Sequence, residues 1–128
     1  MKSTFLSMML VVSLCSPLLA QESATKATEQ IVKYLKNLAP GAKLIFATTT
    51  PVPDGEPGRV AGDADKYNQV ATKVLLDYPE IRINDLYYFT KPNHSKWWAK
   101  PGDVHYGTEG RNAQGDEVSR IILDSLPK

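Results

Sequence analysis

With cysteine at position 15 alone, the 128-residue chain has no means of building a disulfide framework or a cysteine zinc cluster. Charge of one sign is just as scarce. Fifteen Lys+Arg stand against 14 Asp+Glu, so no basic excess marks a nucleic-acid or membrane-surface binder. Histidine is limited to His94 and His105, eleven positions apart with no third ligand at zinc-type spacing, which speaks against a metal site. The glycines of segment 55–62 are not followed by Lys-Ser/Thr, so a phosphate-binding loop is excluded. There is no internal repeat and no low-complexity tract, and nothing calls for a cofactor.

What is present begins with an apolar N-terminus, residues 1–20, with one Lys near its start and Ser16, Pro17 and the small Ala20 at its end. This is the pattern of a secretory signal peptide cleaved after Ala20, and it predicts a secreted or periplasmic protein. Two other readings are a membrane anchor, but Ser7, Ser13, Ser16 and Pro17 interrupt the run before it spans a bilayer, and a lipoprotein anchor through Cys15, but bulky Leu14 stands where such sites prefer a small residue. Cleavage leaves residues 21–128 without cysteine and with balanced charge, so no membrane contact is expected after it.

Over residues 24–38, Ala27, Ile31, Leu35 and Leu38 recur at helical spacing, and Pro40-Gly41 stops the pattern. Residues 43–50 form a short continuous apolar run, as in a parallel strand buried on both faces. A Pro- and Gly-rich loop follows to Gly62. From 65 to 78, Tyr67, Val70, Ala71, Val74, Leu75 and Tyr78 mark the best amphipathic helix in the chain. Residues 81–86 alternate as a second strand. A loop bearing proline and tryptophan runs to Gly107, and a last helix directs Val118, Ile121, Ile122 and Leu126 inward. Strand, helix, strand in this order predicts an α/β fold with a parallel crossover. Two strands make a marginal sheet, so an exposed edge over residues 44–50 and self-association through it are expected.

The chemistry-bearing segment is Pro101-Gly-Asp-Val-His-Tyr-Gly-Thr-Glu-Gly110. A neutral imidazole takes a proton from a hydroxyl, and a nearby carboxylate fixes its tautomer, so His105 and Asp103 are the candidate catalytic residues. An Asp-x-His in a loop is also commonly structural or solvated. Thr48, Thr49 and Thr50 end a strand at its carboxyl edge, where α/β folds place ligands, or are ordinary strand residues. Trp97 and Trp98 line an acyl or sugar pocket, or anchor a long loop. Tyr67 and Asn68 read as helix packing and capping.

This last block resembles the final conserved block of the SGNH (GDSL-like) esterase family. So do Ala42-Lys-Leu-Ile-Phe-Ala-Thr-Thr-Thr-Pro-Val-Pro53, Lys66-Tyr-Asn68 and Ile83-Asn-Asp-Leu-Tyr87 upstream. The resemblance covers residues 29–126 and corresponds to the C-terminal half of a family domain. It implies a flavodoxin-like three-layer fold, truncated to a late βαβ unit plus the C-terminal helix. It also implies hydrolysis of acetyl or short acyl esters, on carbohydrate among other carriers, with His105 as general base and Asp103 as its orienter. Gly102 stands where the commoner family spacing has the aspartate. The family's Gly-Asp-Ser nucleophile block and its oxyanion donors have no counterpart here, so the chain alone is expected to be inactive. Two other readings remain beside this one: a non-catalytic binding module that keeps the fold's second half, and a fragment of a longer esterase.

Overall fold

The computed structural model describes residues 17–127; most of the expected leader peptide therefore lies outside the described residues. It is a mixed α/β structure, mostly helical, around a two-stranded parallel sheet. Helix α1 (Pro17–Leu38) leads to β1 (Ile45–Ala47), α2 (Asp63–Leu75) and β2 (Arg82–Asn84). Three short turns of helix follow: α3 (Leu86–Thr90), a 3₁₀ turn (Lys91–Asn93) and α4 (His94–Trp97). Helix α5 (Thr108–Ser125) closes the described chain.

The strands pair in the register Ile45–Arg82, Phe46–Ile83 and Ala47–Asn84. Flanking bonds run from Arg82 N–H to Leu44 C=O at 3.2 Å and from Thr48 N–H to Asn84 C=O at 3.0 Å. The pleat puts Leu44, Phe46, Ile81 and Ile83 on one face, where they meet Val32 of α1, Leu75 of α2 and Tyr78 in one apolar cluster. Arg82 points to the other face, where it donates to the Asp124 carbonyl of α5 at 3.2 Å and pairs with its carboxylate at 3.5 Å. The small sheet thus carries α1 and α2 on one side and α5 on the other.

Several expectations need correction. The run 43–50 is not a strand buried on both faces. Only 45–47 is strand, with Ile45 and Phe46 half-buried and Ala47 exposed, because a single neighbouring strand and few helix side chains cover it. The apolar stripe of α1 is largely uncovered: Val32 alone is buried, whereas Ile31 is 59% and Leu38 66% exposed. Helix α2 starts at Asp63 and ends at Leu75, and Tyr67 lies outside its buried face. Of the four residues expected to point inward from the last helix, Ile121 is buried and Val118 half-buried, while Ile122 and Leu126 face solvent, since two strands are too narrow a platform for the whole face. The segment expected to be loop before Gly107 instead winds into helical turns, started by Asp85, whose carboxylate accepts the Tyr88 N–H at 3.2 Å as an N-cap.

Candidate active site

The carboxyl ends of the two strands are tied together by side chains. Thr48, buried at the end of β1, donates its hydroxyl to Asp85 Oδ1 at 3.0 Å and accepts the Tyr87 N–H at 2.9 Å. The Asp85 carboxylate therefore joins β1 to the start of α3. One residue on, the Asn68 side-chain amide accepts the Thr49 N–H at 2.9 Å and donates to the Thr49 carbonyl at 2.8 Å. This α2 amide occupies both backbone groups of Thr49, as a neighbouring strand would. Asn68 is therefore a long-range clamp, which the reading as local helix packing and capping missed.

The His105 loop is built on a turn. Asp103 N–H donates to the Lys100 carbonyl at 3.1 Å, with Pro101 and Gly102 at the turn's centre and Gly102 at φ 75°. That is the arrangement of a type II turn, whose third position favours glycine. The left-handed backbone explains why position 102 is Gly and the carboxylate stands at 103. Asp103 Oδ1 then accepts the His105 backbone N–H at 2.9 Å and meets His105 Nδ1 at 2.7 Å. These two contacts, the backbone one first, hold the Asp103 carboxyl below the usual carboxylate range. The Asp103 side chain is 13% exposed and that of His105 81%, so the carboxylate is sheltered while the imidazole stands in solvent. An ionised Asp103 selects the tautomer with the proton on Nδ1 and leaves Nε2 as the open acceptor.

Backbone bonds on both sides hold this histidine in place. Ala99 N–H donates to the His105 carbonyl and Gly107 N–H to the Trp97 carbonyl, each at 2.8 Å, around an antiparallel bridge between Trp98 and Tyr106. Trp97 is 7% exposed, packed on Phe89 at 5.8 Å between ring centroids and pressed by the first turn of α5. Trp98 is half-buried and meets the His94 ring edge-on at 5.2 Å. Both tryptophans anchor the loop. Burial holds the His94 imidazole below the ordinary histidine range, with the Pro51 carbonyl opposing. Burial likewise raises the Tyr106 phenol, opposed by a hydrogen bond with Thr50.

Of the candidate residues, the fold brings together Asp103, His105 and, through Tyr106, the segment at Thr50 and Pro51; the Tyr106 hydroxyl reaches the Pro51 carbonyl at 3.4 Å. Thr49 is engaged by its backbone with Asn68. A groove of about 400 Å³ lies away from the dyad, between α1 and α2 beside Tyr67 and Val70. Among the described residues no hydroxyl is hydrogen-bonded to His105, and the Ser125 hydroxyl is spent on the Ile121 carbonyl at 2.7 Å. Among the same residues no group of three or more His, Cys, Asp and Glu side chains is placed to hold a metal ion, and no helix is long and apolar enough to cross a membrane. Neither the protein-family models nor the curated proteins contain a match to this chain.

Proposed function

We propose that the chain carries the general base and orienting carboxylate of an SGNH-type ester hydrolase that is exported from the cell. The observation behind this reading is the 2.7 Å contact between Asp103 Oδ1 and His105 Nδ1, which leaves Nε2 facing solvent. A parallel sheet with helices on both faces is compatible with the flavodoxin-like arrangement of that family, and the leader-like first twenty residues support export. In the reaction, Nε2 takes the proton from a hydroxyl as its oxygen attacks the acyl carbon. The imidazolium, stabilised by Asp103, then gives that proton to the departing alcohol. The hydroxyl comes from outside the described residues. The resemblance suggests acetyl or short acyl esters, including those on carbohydrate, as the substrate class.

A second reading, a non-catalytic binding module, is favoured by one observation: among the described residues no hydroxyl is hydrogen-bonded to His105. Long-range ¹H–¹⁵N correlation spectra of the imidazole test the proposal directly. The expected result for the neutral imidazole is a proton on Nδ1 and a bare Nε2, shifting toward mixed tautomers in Asp103→Asn. A His105 that holds its proton on Nε2 cannot act as this base and refutes the assignment. The purified chain is expected to cleave p-nitrophenyl acetate no faster than free imidazole at equal concentration. Faster turnover that is lost in His105→Ala would place a nucleophile inside this chain.

A further inference from the structure

We propose that His94 positions His105 by clasping the loop that carries it, and that the clasp holds only while the His94 imidazole is neutral. For catalysis the clasp matters only if His105 is the base proposed above; the clasp itself does not depend on that role. Trp98 and Tyr106 pair in the antiparallel bridge that closes the loop over residues 99–105, where Asp103 and His105 stand. The His94 ring packs against both members of the bridge. It meets Trp98 edge-on at 5.2 Å and Tyr106 at a tilt at 6.0 Å, between ring centroids. The Tyr106 hydroxyl carries the contact on to the Pro51 carbonyl at 3.4 Å, in the segment that leaves β1. His94 thus stands where α4, both sides of the bridge and the buried Pro51 meet.

This junction suits a neutral ring and not a cation. A neutral imidazole has one donor and one acceptor, whereas the imidazolium has two donors and no acceptor. Among the described residues His94 Nε2 is buried without a hydrogen-bond partner, as is Trp98 Nε1. The indole N–H can only donate, and the Tyr106 hydroxyl already donates to the Pro51 carbonyl. That carbonyl is the acceptor beside the His94 ring, and burial outweighs it, holding the imidazole below the ordinary histidine range. Tyr106 is the titratable side chain that faces the ring from the bridge, and burial raises its phenol, so it stays uncharged where histidine titrates. Trp98, Thr50 and Pro51 bring no charge. On α4 itself Lys96 is paired with Glu109 of α5 at 2.6 Å, and on the loop Asp103 is bonded to His105.

A proton added to His94 therefore gains no counter-charge in place, and moving the ring into water relieves it. That movement uncovers Trp98 and Tyr106. It loosens the two bonds around their bridge, Ala99 N–H to the His105 carbonyl and Gly107 N–H to the Trp97 carbonyl, each at 2.8 Å. In the opened loop the imidazole is solvated and takes up its proton near pH 6.5, at about the ordinary histidine value. Each pH unit below that favours opening by up to about tenfold, until the clasped form takes up the proton as well. His105 then loses its place relative to the end of β1, while the sheet, which holds no histidine, stays paired.

Amide hydrogen exchange of the full chain, corrected for the intrinsic rate at each pH and read beside NMR titration of both imidazoles, tests this. The expected result is that Ala99 and Gly107 lose protection below about pH 6.5, by up to about tenfold per unit. Thr48 and Arg82, bonded across the sheet, should keep theirs. His94→Phe leaves an aromatic ring against Trp98 that cannot take a proton, so Ala99 and Gly107 should stay protected in acid. His105→Ala removes the other imidazole, which is 81% exposed, and should leave the acid loss in place. Should His94→Phe not fold, that variant and the wild-type titration decide the question alone. Protection that does not change as His94 titrates overturns the proposal, as does an acid loss that survives in His94→Phe or vanishes in His105→Ala. Loss of loop and sheet amides in one step also overturns it, because the whole fold then opens and no clasp is released. A His105 with its proton on Nε2 refutes the proposed base and leaves these amide results as expected, so the two failures are distinguishable.

Discussion

Two glycines in α5 differ only in what surrounds them, and the difference yields a sharp stability prediction. A Cβ at Gly115 meets nothing within 4 Å, whereas a Cβ at Gly110 meets Trp97 Cβ at 2.7 Å, Cγ at 3.1 Å and the Trp97 carbonyl at 3.2 Å. Replacing an exposed helical glycine by alanine stabilises by about 1 kcal/mol, through lower backbone entropy in the unfolded chain. Gly115→Ala receives that gain in full. At Gly110 the same gain is opposed by overpacking, which costs about 1–3 kcal/mol where neighbours cannot move. Trp97 is such a neighbour: its Cβ stands beside its own backbone, its carbonyl is bonded to Gly107 N–H, and its ring lies against Phe89. The two variants are therefore expected to separate by about 1–3 kcal/mol, with Gly115→Ala above the parent protein and Gly110→Ala at or below it. For a chain of this size the separation is at least about 4 °C in Tm, read at fixed protein concentration so that association does not enter. The strain at Gly110 also reaches the Trp98–Tyr106 bridge, so the His105 backbone amide resonance should shift in Gly110→Ala and stay in place in Gly115→Ala. Equal stability of the two variants would refute the close approach of α5 to Trp97.

Thr48→Val keeps the shape but orphans the Tyr87 N–H, and urea denaturation should show a loss of about 1–3 kcal/mol. Asn68→Asp keeps an acceptor for the Thr49 N–H and loses the donor to its carbonyl, so about 1–2 kcal/mol should disappear, less than in Asn68→Leu, which loses both bonds. His94 is held below its ordinary pKa by burial, so its neutral form favours the fold. Its contribution is complete above about pH 6.5 and declines as pH falls toward the lowered folded value, and His94→Phe should flatten that part of a stability–pH curve. Asp103 has a lowered folded pKa, so its contribution is present above the usual carboxylate range and is lost as pH falls through the lowered value. Side-chain ¹³C titration should keep Asp103 low in His105→Ala, because the backbone N–H of residue 105, the larger cause, survives that change.

Local pattern was enough to find α2 and the parallel pair of strands, because a 3.6-residue repeat and a crossover order carry direct geometric meaning. The short helical turns after Asp85 were missed because no turn is long enough to show a period; the cap at Asp85 was the available sign. Asp103 and His105 stood out by their proximity in sequence, and two residues of separation suffice for one carboxylate to reach both the backbone and the ring. The preference for Gly over Asp at position 102 follows from a positive φ that no composition reveals. Periodicity marked one face of α1 as apolar, but whether a face is covered depends on how many strands lie beneath it. Only the tertiary structure shows that Val32 is buried while Ile31 and Leu38 stand open. The Asn68 clamp on Thr49 and the Thr48 link to Asp85 span 19 and 37 residues. Such bonds are set by the packing of α2 and the pairing of β1 with β2, because a side-chain amide or hydroxyl reaches only what the fold brings within about 3 Å.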